Sequence, residues 1–222
     1  MENNKLNLVW LYPDMLNLHG DRANVQAFEK VAEKLGLKIN VEKIEDYDAN
    51  IDFENTDIIL VNPGELKVIK TVIESLNKQK EDLEEYINKN KFIILIGTSG
   101  AIMAKKTKRL EGTEIEGLGY MNMECTQREY IHGDDIYFEL NDDSKTEIIG
   151  SQIQVIDTKL NEDIALGNIK YGLGNNGKST EGAKYKNIIF TNGLRPYICK
   201  KSLVGRKDYQ RSNEKQRNKT RK

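Results

Sequence analysis

Apolar positions in the first hundred residues fall into short runs that alternate between two periods. "KLNLVWLY" (residues 5–12) is apolar enough for a first strand and stops at Pro13, which cannot donate to a sheet ladder. In "ANVQAFEKVAEKLG" (23–36), Val25, Phe28, Ala32 and Leu35 recur at helical spacing and Gly36 supplies a C-terminal stop. "LKINVEKI" (37–44) and "TDIILVN" (56–62) read as strands two and three. From Leu66 to Asn88, the positions Val68, Val72, Ile73, Leu76, Leu83 and Ile87 suit one long helix or two short ones. "KFIILIG" (91–97) is apolar without alternation, as in a strand buried on both faces. This order predicts an α/β fold with a mixed, largely parallel central sheet and helices on both faces. Beyond Gly119 the pattern turns to short strands: "YMNMECTQ", "DDIYFEL", "EIIGSQIQVID", "ALGNIKYG" and "KNIIFTN", with "YIHGDD" between the first two read as a turn. No internal repeat is visible.

In such a sheet ligands sit over the carboxyl ends of the strands. The candidate loops are therefore "PDMLNLHGDRAN" (13–24), "NPGE" (62–65) and "GTSG" (97–100), the last leading from strand to helix as a nucleophile elbow does. Just before the first helix, Asp21 can cap free amides and Arg22 can grip a carboxylate or phosphate; the same pair serves equally as an N-cap and a surface ion pair. His19 is a candidate base or a hydrogen-bonded loop residue. "YGLGNN" (171–176) reads as a glycine-rich turn.

Charge changes the picture at one end only. Residues 200–222 hold 10 Lys or Arg against 2 Asp or Glu, which leaves a net of −9 for residues 1–199 within an overall −1. The expected organisation is one domain over residues 1–204 and a basic, disordered tail over 205–222, suited to an acidic partner or an anionic surface. Nothing interleaves aromatics with the basic residues, so nucleic acid is not the expected partner. No apolar run approaches the roughly 20 residues of a membrane helix, and residues 1–6 lack a signal-peptide pattern, so the expected location is the cytoplasm. Cys125 and Cys199 form no CxxC pair; neither a disulfide framework, a metal site nor a cofactor is expected.

Several stretches together carry a resemblance. "LYPDMLNLHGDRANVQAFEK" (11–30), "EIEGLG" (114–119), "YGLGNN" followed by Glu181 and Gly182, and "YKN" (185–187) resemble the class I glutamine amidotransferases of the cobyric acid synthase type. Within that family the likeness is to the glutaminase subunits of lipid II isoglutaminyl synthases, over roughly residues 6–204. The resemblance implies a sheet of about seven strands. It also implies a heteromeric partner, a Mur-ligase-like ATP-dependent synthetase that receives ammonia, with glutamine or another small ligand as the candidate small molecule.

Family chemistry needs a cysteine on the elbow, a histidine after a late strand and backbone amides in an oxyanion hole. Matched position by position, the resemblance puts Gly97 at the cysteine and Leu194 at the histidine, with Pro196 in place. Three family glycines become Asn62, Pro63 and Gly64, and Glu-Asn-His becomes Gln152, Ile153 and Gln154. Glycine cannot attack, leucine cannot take a proton, and proline removes an amide donor. The resulting expectation is a pseudoenzyme that binds a ligand or partner through Asp21, Arg22, Asn24, Gly64, Gly174, Asn175 and Asn176. Two alternatives stand beside it. Ser99 in Gly97-Thr98-Ser99-Gly100-Ala101 could be the attacker of a serine hydrolase, resembling the elbow of cyanophycinase-like peptidases, or else an N-cap of the next helix. Alternatively, glutaminase activity could run through Cys125 or Cys199, although both suit apolar packing.

Overall fold

The computed structural model describes residues 5–18, 22–162 and 164–194. Asp21, His19, Pro196, Cys199 and the basic tail lie outside the described residues.

The chain opens with β1 (Lys5–Leu11), α1 (Arg22–Lys34), β2 (Lys38–Ile44) and β3 (Ile58–Val61). Next come α2 (Leu66–Lys78), α3 (Lys80–Asn88) and β4 (Phe92–Ile96), then a single 3-10 turn, Gly97–Ser99, that leads into the short α4 (Gly100–Met103). Six strands make the first sheet in the order β11-β12-β4-β3-β1-β2, where β11 is Ala183–Tyr185 and β12 is Ile188–Thr191. All neighbouring pairs are parallel except β11 with β12. Alternation along β1 sets the layers. Val9 and Leu11 join Ile59, Val61, Ile93 and Leu95 in the larger core with α2, α3 and α4, whereas Leu8 and Trp10 join Leu60, Ile96 and Val25 of α1 on the opposite face. Leu35 departs from its helical spacing: it lies past the end of α1 and is 68% exposed.

A second sheet of seven strands carries the rest. It has β5 (Lys106–Lys108), β6 (Glu114–Glu116), the long hairpin β7 (Met123–Leu140) and β8 (Glu147–Leu160), then β9 (Gly167–Tyr171), β10 (Thr180–Glu181) and β13 (Gly193–Leu194). Its β7–β8 end closes the larger core through Met123, Cys125 and Ile156. Two expected strands, "YMNMECTQ" and "DDIYFEL", are thus one. The turn expected at "YIHGDD" is instead a bulge inside β7: Gln127 pairs with Ile156 and His132 with Gln154, so residues 128–131 oppose Val155 alone. Composition alone could not separate the two, because a bulge and a turn use the same polar and glycine-bearing residues.

The stretch 66–88 is two helices, and the break falls at Gln79. Its side chain accepts from Ile51 N–H at 2.8 Å and donates to the Ala49 carbonyl at 3.3 Å, so the helix ends where it ties down the loop after β2.

β12 is the hinge between the sheets. It pairs with β4 in the first sheet, and two residues later the same chain pairs with β8 in the second, Gly193 opposite Gln152 and Leu194 opposite Ser151. Phe190, fully buried, lays its ring against Gly100, where an added Cβ would stand 2.5 Å from Phe190 Cε2. Truncation of this ring should cost about as much as a large core cavity. Phe190→Ala is expected to lower unfolding stability by about 3–5 kcal/mol in urea titration, without changing the fold seen by circular dichroism.

Candidate functional site

Four loops meet above the carboxyl ends of β1, β3, β4 and β12, where parallel sheets place their ligands. The first is fixed at its root. Tyr12 turns the chain with φ +47° and is wholly buried, and its hydroxyl shares a 2.6 Å hydrogen bond with Ser75 Oγ, which donates to the Tyr47 carbonyl at 2.6 Å. From there the loop folds back over the second: Leu18 N–H donates to the Pro63 carbonyl at 3.2 Å. Asn24, buried in α1, donates to Asn62 Oδ1 at 3.1 Å.

The second and third loops are stapled by two hydroxyls. Gly64 N–H donates to Thr98 Oγ1 at 3.0 Å, and the Thr98 hydroxyl returns a 2.6 Å bond to the Gly64 carbonyl. Ser99, with no exposed surface, accepts from Ile96 N–H at 2.8 Å, and the Val61 and Ile96 carbonyls lie 2.9 and 3.0 Å from its oxygen. Ser99 holds the N-cap position of α4, as one of its two readings expected, but its hydroxyl is spent elsewhere. It closes the 3-10 turn backward onto β4 and makes no cap bond to α4.

Gly97 carries the sharp turn itself, with φ +58°. An ideal Cβ at Gly97 would lie 3.3 Å from Pro63 Cβ and 3.9 Å from Leu194 Cδ2. The positions matched to the family nucleophile, its histidine and its oxyanion loop thus converge in space. What they bring together is glycine, leucine and proline. Leu194, 2% exposed, packs with Leu8, Trp10, Val25, Leu60 and Ile96.

Beside this apolar contact runs a buried polar network. Glu181 is fully buried; its carboxylate accepts from Thr191 Oγ1 (2.7 Å), Asn192 N–H (2.8 Å) and Asn192 Nδ2 (3.0 Å). Burial pushes its pKa up, against those hydrogen bonds. Asn192 Nδ2 also reaches Asn175 Oδ1 at 3.1 Å, while Asn175 Nδ2 donates to Gly182 O at 2.9 Å and Thr180 Oγ1 at 3.2 Å. From β8, Gln152 bonds the Gly174 carbonyl and amide, at 3.1 and 3.3 Å, and Gln154 bonds the Asn175 carbonyl at 3.1 Å. The two glutamines also bond each other.

Of the residues expected to bind a ligand or partner, Asn24, Gly64, Gly174 and Asn175 are therefore internal, with polar groups engaged inside the chain. Arg22 is exposed at the start of α1, and Asn176 is partly exposed. A groove of about 300 Å³ opens between the first loop and the start of α2, lined by Asp14, Met15, Asn17, Leu18, Glu65, Lys67 and Val68. Sequence reasoning missed the Thr98 staple and the Asn192 junction; neither belongs to a recognisable spacing. Cys125 is 2% exposed, and burial raises its thiol pKa to about 11, which leaves little thiolate at neutral pH. Among the described residues no group of three His, Cys, Asp or Glu is placed to hold a metal ion, and no helix is long and apolar enough to cross a membrane.

Two relatives match over most of the chain. GatD, the subunit of lipid II isoglutaminyl synthase (glutamine-hydrolysing) from Streptococcus pneumoniae, is 29% identical over 190 residues, covering 83% of this chain and 72% of the relative. GatD of Staphylococcus aureus is 29% identical over 188 residues, covering 84% and 76%. Over most of its length the chain is similar to GatD, the glutaminase subunit of lipid II isoglutaminyl synthase. Solved structures agree on the fold. PurLQS from Thermotoga maritima matches with TM-score 0.62 at 12% identity, covering 94% of this chain and 96% of the other, and a glutamine amidotransferase matches with TM-score 0.54 at 13% identity, covering 86% and 91%. No family model matches the chain.

Two outcomes follow from the geometry of this GatD-like site. Gly97→Ala forces a side chain into left-handed backbone beside Pro63 and should lower stability by about 1–2 kcal/mol in chemical denaturation. Glu181→Gln removes a buried charge whose folded pKa lies above its ordinary 4.5. A raised carboxylate pKa contributes stability that is present at low pH and lost as pH rises past 4.5. The difference in stability between Glu181→Gln and the parent should therefore shift in the variant's favour from pH 4.5 toward 7, measured by urea titration at each pH.

Proposed function

We propose that this chain is a catalytically degraded GatD-like subunit, retained for binding rather than for glutamine hydrolysis. The observation that carries the reading is the convergence of Pro63, Gly97 and Leu194 at one point. A glutaminase of this family needs a thiolate, a base and free amides within a few ångströms of each other there. Here the three positions offer no nucleophile, no proton acceptor and, at Pro63, no N–H. Loss of the nucleophile alone typically lowers the rate of a hydrolytic unit by about a million-fold, so the remaining loops can contribute little beyond binding.

The partner we propose is a Mur-ligase-like, ATP-dependent synthetase subunit, because the chain's GatD relatives are themselves subunits of an isoglutaminyl synthase. Among the described members of the expected binding set, Arg22 and Asn176 have surface to offer, and Met15 and Leu18, 41% and 43% exposed, add apolar area beside the groove. The serine hydrolase alternative finds no support in the environment of Ser99, whose hydroxyl is wholly buried and holds backbone on both sides. The thiol alternative fares no better at Cys125, which lies in the core with its proton held tightly.

Purified protein, alone and with any co-purifying partner, should release no ammonia from glutamine above background; turnover that survives replacement of both cysteines would overturn the loss of catalysis. Pull-down from the native cell should recover a synthetase of the stated class, with recovery reduced several-fold by Arg22→Ala. A lone monomer at low salt, indifferent to Arg22→Ala, would rule out the partner.

A further inference from the structure

We propose that Thr98 is an internal stand-in for a ligand oxygen: its hydroxyl occupies the hydrogen-bonding position above the elbow and thereby excludes acyl ligands from it. This inference rests on the reading of the elbow as a former amidotransferase site, and it names the residue that keeps that site closed.

An acyl group bound over the elbow needs a free amide for its oxygen. Pro63 has no N–H, and the amide of this loop that meets a side chain of the elbow is that of Gly64. Gly64 cannot turn its amide elsewhere. It is buried, and a Cβ on it would stand 2.4 Å from Leu16 Cδ2 and 2.9 Å from the Met15 carbonyl oxygen, so the first loop presses directly on its α-carbon. Thr98 Oγ1 sits 3.0 Å along that amide and gives its own proton to the Gly64 carbonyl at 2.6 Å. One hydroxyl thus satisfies both backbone groups of one residue, with its donor and an acceptor site both engaged. Thr98 is itself 3% exposed, so water does not compete freely for either bond. Ser99 cannot substitute, because its oxygen is held on the far side of the turn by Ile96 and Val61.

The geometry makes the hydroxyl, rather than the bulk of the threonine, the excluding group. Removing it leaves a buried donor with no partner, a state that favours capture of any small oxygen acceptor able to enter.

The test follows the Gly64 amide by nitrogen-15 NMR in the full chain, with formate as the probe, in the parent, Thr98→Ser and Thr98→Ala. Thr98→Ser keeps the hydroxyl and should behave as the parent, with Gly64 protected from exchange and unmoved by formate. In Thr98→Ala, Gly64 should exchange about tenfold faster or more, as expected for the loss of one hydrogen bond of ordinary strength, and its resonance should shift saturably with formate. Equal exchange and equal formate response in Thr98→Ala and Thr98→Ser would overturn the proposal.

A second measurement stands if Thr98→Ala folds poorly. In Gly97→Cys with Leu194→His, the new thiol should be alkylated by 6-diazo-5-oxo-L-norleucine, its proton passing to the diazo carbon and a thioether forming as nitrogen leaves, only after Thr98→Val, which removes the hydroxyl and keeps the bulk, is added. Equal labelling with and without that third change would count against Thr98. The two readings fail separately. Ammonia release by the unaltered chain overturns the loss of catalysis, whereas indifference of Gly64 to the hydroxyl overturns the role of Thr98.

Discussion

The top of the central sheet is built around one backbone constraint, the left-handed turn at Gly97. The chain leaves β4 at the end of a fully packed parallel strand and must enter α4 at once, and φ +58° is what makes the reversal sharp enough. A residue with a side chain pays about 1–2 kcal/mol for that conformation, a strain tolerated where it places a nucleophile. Glycine carries no such strain. The elbow here keeps its geometry without the cost that a side chain would impose, and of the two hydroxyls beside it Thr98 fastens the turn to the loop at Gly64 and Ser99 fastens it to β3 and β4. Trading a strained reactive position for a relaxed structural one is the usual direction when stability is gained at the expense of activity.

The same separation of roles appears where the chain crosses between the sheets. Asn192 lies in the polar network and Leu194, two residues on, in the apolar cluster. The crossing strand therefore anchors one side chain by hydrogen bonds to Glu181 and Asn175 and the other by packing against β1 and α1. A histidine at Leu194 would bring a polar ring into an environment of Leu8, Trp10, Val25, Leu60 and Ile96, and a polar group buried without partners costs several kcal/mol on the harsher transfer scales. Glu181 meets the opposite condition: it is buried and is tolerated because three donors converge on it from Thr191 and Asn192.

Periodicity made the first sheet legible. The strand-helix alternation through Ile96, the stop after α1 and the elbow at Gly97 all follow from local pattern, because a parallel sheet buries its strands on both faces and writes them as unbroken apolar runs. The second sheet was less legible. Whether β7 was one strand or two depended on pairing with β8, a contact across the hairpin that no window of sequence contains. Side-chain roles were the least legible. Gly97, Pro63 and Leu194 could be placed together only through resemblance, since they are far apart in the chain, and Thr98 gave no signal at all because a threonine after a glycine has no distinguishing spacing. Asn24, Gly64, Gly174 and Asn175 stood out as unusual residues in loops; their burial shows how polar residues in a closed network can look, in sequence, like residues kept for a ligand.

That likeness bears on what retained motifs mean. Gly174 holds φ +62°, with the Thr180 carbonyl oxygen 2.4 Å from where its Cβ would stand, and Asn175 uses both ends of its amide inside the chain. Replacing either residue would leave buried groups without partners or force a close contact, so the turn would persist under selection for folding alone. Retention of "YGLGNN" is thus equally expected of an active glutaminase, a binding subunit and a bare scaffold, and it separates none of them. The residues that can separate them are those the fold does not need. Arg22 stands exposed at the start of a helix, and Met15 and Leu18 leave apolar surface in solvent beside a groove. Groups of this kind contribute little to an isolated chain and more to an interface, where Arg and Met are enriched and Arg is a common energetic anchor. Their exposure is why we read the chain as a binding subunit rather than as a relic of the fold.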